Sequence, residues 1–80
     1  MSRSNELGDA VRRALERYFK DMDGETPHAI YDMVLKSIEK PMIEIVLARA
    51  EGNQTVASAM LGINRNTLRK KIKQLRIKGA

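Results

Sequence analysis

Only Ile63 and Asn64 separate Gly62 from Arg65, and apolar residues recur at three- and four-residue steps on both sides of this link. A connection this short between two helical patterns makes the second helix double back across the first, and no other feature restricts the fold as much. Upstream, Gly52 is expected to close a preceding helix in a left-handed conformation, and Asn53 to cap a helix running from about Gln54 to Leu61. Gly62 then ends that helix, and Asn64 caps another from Arg65 to about Arg76. Counted from Gln54 as the first position, Ala57 and Ser58 stand fourth and fifth, Gly62 ninth, and Leu61, Ile63, Leu68 and Ile72 eighth, tenth, fifteenth and nineteenth. Small residues let two helices cross closely, the glycine permits a positive φ, and the apolar residues make a small core that fixes the crossing angle. This is the spacing of a helix-turn-helix over about residues 52–78.

The earlier part of the chain reads as two longer helices. Leu7, Val11, Ala14, Leu15, Tyr18, Phe19 and Met22 share one face of the first, which stops at the Asp23-Gly24 turn. Thr26 is expected to cap the second helix, with Pro27 in its first position, and the helix to run to Ala50. It carries Ile30, Tyr31, Val34, Leu35 and Ile38 as a stripe, then turns apolar nearly all round through Met42, Ile43, Ile45, Val46, Leu47 and Ala48. Pro41 should kink this helix without ending it, since the periodicity resumes at once. A helix apolar on most faces must be covered on most faces. One chain of 80 residues has few other elements to do so, so a second copy is expected to cover part of it. The expected fold is all-α: a single domain over 1–80, with four helices per chain in an intertwined homodimer, residues of about 7–51 serving dimerisation. Residues 1–5 and 78–80 are expected to fray.

Charge divides the chain sharply. Residues 1–51 carry 8 basic and 10 acidic side chains, whereas residues 52–80 carry 7 basic and no acidic ones. That concentrates positive potential on the helix-turn-helix and suits a polyanion. Leu68, Ile72 and Leu75 form the buried stripe of the last helix, leaving Arg65, Asn66, Arg69, Lys70, Lys73 and Arg76 around its surface. An Arg opening a recognition helix can donate two hydrogen bonds to guanine O6 and N7, while lysines hold phosphates without reading bases. A lipid surface fits less well, because the apolar stripe is narrow and lacks Trp or Phe. Single-stranded RNA calls for exposed aromatics, and Tyr18, Phe19 and Tyr31 fall in core-like phase. With no cysteine and a lone histidine, His28, the chain offers no disulfide and no Cys or His metal site. His28 reads as a solvent-exposed first-turn residue, and Met22, Met42 and Met60 as core filler. No nucleophile–base pair or phosphate loop points to an enzyme, and no cofactor is implied. Neither a signal peptide nor an apolar run of the roughly 20 residues a membrane span needs is present, so a soluble, intracellular protein is expected.

The runs Gly52-Asn53-Gln54-Thr55, Gly62-Ile63-Asn64-Arg65 and Thr67-Leu68-Arg69-Lys70-Lys71 resemble the DNA-binding helices of the Fis family of bacterial nucleoid proteins (factor for inversion stimulation). The similarity continues through Tyr18-Phe19, Asp23-Gly24, Tyr31, Val34-Leu35 and Pro41, and so spans about Leu7 to Arg76. It implies a cytoplasmic homodimer on the bacterial nucleoid, which binds double-stranded DNA through the major groove of an imperfect palindrome with an A/T-rich centre, bends it and regulates transcription. By the resemblance, Arg65 contacts a base, Asn64 lies at the base edges beside it, and Asn53, Thr55, Thr67, Arg69, Lys70, Lys71 and Lys73 chiefly hold the backbone. Three features depart from the family pattern. Only six residues precede Leu7, where Fis has mobile hairpin arms that stimulate DNA invertases, so that activity is not expected. Asn66 stands where Fis has glycine, and Glu51 where Fis has a basic residue in the turn that contacts RNA polymerase. A similar helix pair closes enhancer-binding regulators of the nitrogen-control type. On that alternative the chain is an interaction module with its basic end as a nonspecific DNA tether.

Overall fold

The computed structural model describes residues 3–24 and 27–78, and among these it is all helical: α1 Arg3–Met22, α2 Ile30–Arg49, α3 Gln54–Leu61 and α4 Arg65–Gln74. No helix among the described residues is long and apolar enough to cross a membrane. The chain forms two compact units, residues 1–30 and 31–80. In the first, α1 extends further toward the N-terminus than its apolar face, since it begins at Arg3; of the terminal residues expected to fray, 1, 2, 79 and 80 lie outside the described residues. Glu6 in its first turn and Lys20 in its last complement the helix dipole, and Tyr18 and Phe19 meet edge to face with ring centroids 5.6 Å apart.

The second helix begins later than its sequence suggests. Pro27, His28 and Ala29 lie outside it, and Ala29 takes φ 54°, a left-handed conformation that a right-handed helix cannot include. Pro27 is therefore not the first helical residue, and His28 is exposed but not in a first turn; the expected cap, Thr26, lies outside the described residues. From Ile30 the helix continues unbroken through Pro41 to Arg49.

The core of the second unit is built by the end of α2 with α3 and α4. Ile43 and Leu47 on α2, with Ala50 just past its end, bury against Ala57, Leu68 and Ile77, with Val46, Leu61, Ile72 and Leu75 packed around them. Ala57 and Leu68 have no exposed surface at all. Two residues depart from the expected core. Ile63 is exposed, because the turn spends its backbone rather than its side chain on the packing: its N–H donates to Ser58 O. Ile77, beyond the helix, is buried instead. Met42 and Met60 are likewise exposed rather than filling the core, and so are Phe19 and Tyr31.

All three helices of this unit end in the same hydrogen-bonded reversal, the Schellman motif, in which a left-handed residue lets two successive N–H groups reach back to the last turn. After α2, Glu51 N–H donates to Ala48 O at 3.1 Å and Gly52 N–H to Leu47 O at 2.9 Å. After α3, Gly62 donates to Ala59 O at 3.2 Å and Ile63 to Ser58 O at 3.1 Å; after α4, Arg76 donates to Lys73 O at 3.3 Å and Ile77 to Ile72 O at 3.0 Å. The left-handed pivots are Glu51 (φ 54°), Gly62 (φ 75°) and Arg76 (φ 53°). Gly52 is left-handed as expected, at φ 80°, but it follows the pivot, which Glu51 occupies. The third reversal explains why α4 stops at Gln74 instead of Arg76. It turns Ile77 back against Ile72, the apolar pairing usual for this motif.

Only one of the three pivots is glycine. A non-glycine residue in this conformation costs about 1–2 kcal/mol, partly offset because glycine loses about 0.5–1 kcal/mol more chain entropy on folding. Glu51→Gly and Arg76→Gly should therefore each raise stability by about 0.5–1 kcal/mol in urea unfolding. Gly62→Ala should lower it by about 1 kcal/mol through backbone strain alone, since a Cβ there meets no atom within 4 Å. Glycine variants less stable than the parent would contradict these reversals.

Candidate nucleic-acid interface

The helix pair α3–α4 is assembled from its small residues outward. Ala57 and Ser58 are buried where the two helices pack together, and Ser58 satisfies its hydroxyl by donating to Thr55 O at 2.9 Å. Both helices are capped as their asparagines suggest. Asn53, extended at φ −79° and ψ 105°, accepts from the Val56 N–H at 3.1 Å, and Asn64, at φ −66° and ψ 142°, accepts from the Asn66 N–H at 2.7 Å. By helix geometry the N–H groups of Arg65 and Thr67 have no intrahelical carbonyl and face outward at the positive end of α4.

With Leu68 sealed inside and Ile72 and Leu75 half-buried, the opposite surface of α4 is set by the turn of the helix, about 3.6 residues. It places Asn66, Lys70 and Lys73 directly away from the core, with Arg69 and Thr67 flanking them, while Arg65, seven residues before Ile72, lies toward the Ile72 side and is accessible because it opens the helix. All six are exposed, as are Asn53, Thr55 and Asn64 on the adjoining helix starts. Eight of the nine residues singled out in the sequence thus share accessible positions on or beside α4. The surface carries no acid, because residues 52–80 contain none.

The ninth residue differs. Lys71 points back to α2, its Nζ 2.9 Å from Glu39 Oε2, with the two side chains only 35% and 21% exposed. It is a half-buried seam residue between α2 and α4, and its charge is already matched. Glu39, in an otherwise ordinary run of α2, carried no sequence signal for this role. Arg65 also has a partner: its Nη1 donates to Thr55 Oγ1 at 3.3 Å, from the first residue of α4 to the first turn of α3. Asn66 lies at the centre of the exposed face. Among the described residues no group of His, Cys, Asp and Glu could hold a metal ion.

The arrangement is a positively charged, acid-free helix whose first turn offers an arginine and open N–H groups, which suits a phosphate-bearing polymer with readable edges. The family model described as "Bacterial regulatory protein, Fis family" matches residues 34–75, from within α2 through α4. Over 74 residues, 92% of this chain and 95% of the relative, the sequence is 51% identical to a protein of Ralstonia nicotianae provisionally named a Fis-like DNA-binding protein. Proteins of Neisseria meningitidis serogroups A and B with the same provisional name are each 51% identical over 69 residues, 86% of this chain and 87% of theirs.

Counterion release separates the free cations from the paired one. On a DNA duplex, Lys70→Ala and Lys73→Ala should each flatten the slope of log K against log salt by about 0.9. Lys71→Ala should change it by clearly less, because its charge is balanced by Glu39. Anisotropy titrations over a salt series measure this, and an equal flattening by Lys71→Ala would contradict the assignment.

Proposed function

The chain belongs to the Fis family of bacterial regulatory proteins, and from this premise we propose that it is a dimeric, sequence-preferring DNA-binding protein. It bends its duplex and acts in transcriptional regulation and nucleoid organisation in the bacterial cytoplasm. The observation that carries this reading is the exposed, acid-free surface of α4, with Arg65 at its first position and Arg69, Lys70 and Lys73 along it. Placed in a major groove, α4 presents Arg65 to the base edges, where a guanidinium matches guanine O6 and N7, and Asn64 lies next to it. Asn53, Thr55, Thr67, Arg69, Lys70 and Lys73 hold phosphates on either side, and Lys71 supports the helix from behind. Binding by charge and shape, without bond making, needs no catalytic group.

Dimerisation is argued from the other face of α2. Tyr31, Leu35, Ile38, Met42 and Ile45 follow one another at steps of 4, 3, 4 and 3 residues, and all five are exposed, Tyr31 at 76% and Ile45 at 64%. That is the spacing of a helix–helix seam, on a surface distinct from the one that Ile43, Leu47 and Ala50 bury. A second copy on this seam supplies a second α4. Two recognition helices must meet successive major grooves about 34 Å apart on straight DNA, and a compact dimer whose helices lie closer bends the duplex to reach both. Flexible steps at the centre of the site are then preferred without being touched, which favours an A/T-rich middle in a palindrome.

The test is binding to a short palindromic duplex and to a scrambled duplex of equal length, by wild type and by Arg65→Ala. Direct readout predicts that the palindrome is preferred and that Arg65→Ala removes about 1–3 kcal/mol of that preference. If both duplexes bind equally and Arg65→Ala behaves as any other lost charge, the basic end is a nonspecific tether and the regulatory reading fails.

A further inference from the structure

Arg65 carries a long side chain, and a readout made by such a group gains in selectivity when the group is held before the base arrives. The structure gives it a holder. Thr55 Oγ1 lies 3.3 Å from Arg65 Nη1, and it is set on a well-fixed element: Thr55 follows the Asn53 cap by two residues, and its carbonyl accepts from the buried Ser58 hydroxyl at 2.9 Å. The backbone that carries Thr55 is thus fixed, and the hydrogen bond spans the two helices of the motif at the starts of both.

The chemistry of that hydroxyl has a further consequence. Guanidinium has donors only, so Thr55 must act toward it as acceptor, which leaves the single hydroxyl proton to be donated elsewhere. Thr55 is exposed at the start of α3, among N–H groups that favour an anion. We infer that Thr55 is a positioning residue for base readout: its hydroxyl accepts from Arg65 and, on DNA, donates its proton to a phosphate oxygen. The phosphate polarises the hydroxyl and strengthens its lone pair toward the guanidinium. The backbone contact that fixes register and the arginine that reads sequence are thus joined through one oxygen atom, so Arg65 is correctly presented only when the backbone is correctly seated. This inference rests on the reading of Arg65 as the base-contacting residue.

The two can be tested together and fail separately. The probe is a palindromic duplex selected by the wild-type protein from a randomised pool, with the guanine of each half-site replaced by 7-deazaguanine, which lacks the N7 acceptor. For wild type the affinity should fall on the order of tenfold on replacement. For Thr55→Val, which keeps the shape but loses the hydroxyl, the fall should shrink to about threefold or less, while Thr55→Ser should restore it, with far-UV circular dichroism and melting showing that both variants fold. Arg65→Ala should bring the ratio near one, and adding Thr55→Val to it should lower overall affinity without changing the ratio. A wild-type ratio in Thr55→Val, with affinity reduced uniformly, would make Thr55 a phosphate contact alone and overturn the inference while leaving Arg65 its role. Failure of Thr55→Ser to restore the ratio also overturns it. A wild-type ratio in Arg65→Ala would remove both readings.

Discussion

The packing of Leu68 and Ala57 against Ile43, Leu47 and Ala50 is the contact on which the rest of this structure depends. A helix pair of eight and ten residues is too short to hold its own crossing angle, since isolated helices of fewer than about 12–15 residues are marginal in water. The second half of α2 acts as the third wall of the motif. It buries the apolar side of α4, so that the basic side must face outward, and it does so without covering any of the residues that carry charge on that side. The orientation of the candidate interface follows from a core of a few aliphatic residues rather than from any contact made by the cations themselves.

The same helix explains where function and fold were legible in sequence and where they were not. Gly62, the two asparagine caps and the small pair Ala57-Ser58 could be read because each answers a local demand of backbone geometry, and the structure meets those demands where expected. The charge division at about residue 51 was equally visible, but packing divides the chain elsewhere, at Ile30, because α2 belongs with the motif it supports. The burial of Ile77 and the left-handed turn at Glu51 were not read from the sequence. Both belong to reversals whose left-handed pivot is not glycine: Gly52 drew the end of α2 one residue too far, and after α4 no glycine marks the pivot, so the apolar pair Ile72 and Ile77, five residues apart, was the one available hint. Pro27 looked like a helix opener, yet the left-handed Ala29 postpones α2 to Ile30.

Electrostatics was legible as a total and not as an arrangement. Counting charges could not show that Lys71 turns inward to Glu39 while Lys70 and Lys73 remain free. A half-buried pair of this kind locates α4 on α2 more than it stabilises the fold, since exposed and partly exposed pairs are worth about 0–1 kcal/mol. The distinction matters for binding, because a lysine already neutralised releases little when it meets a phosphate. The interface is thus more finely divided than a basic stretch suggests: one arginine tied to a threonine, one lysine tied to a glutamate, and the remaining cations open to solvent.

As proposed, α2 works on two faces, one holding α3 and α4 and the other a second copy of the chain. Sedimentation equilibrium at micromolar concentration tests it most directly, comparing wild type with Ile38→Glu, a charge placed in the middle of the exposed seam and away from the buried face. A wild-type mass of twice the chain's 9.1 kDa is expected, with Ile38→Glu shifted toward monomer. A wild-type protein that is folded and monomeric, or a variant whose dimer is undiminished, would contradict it.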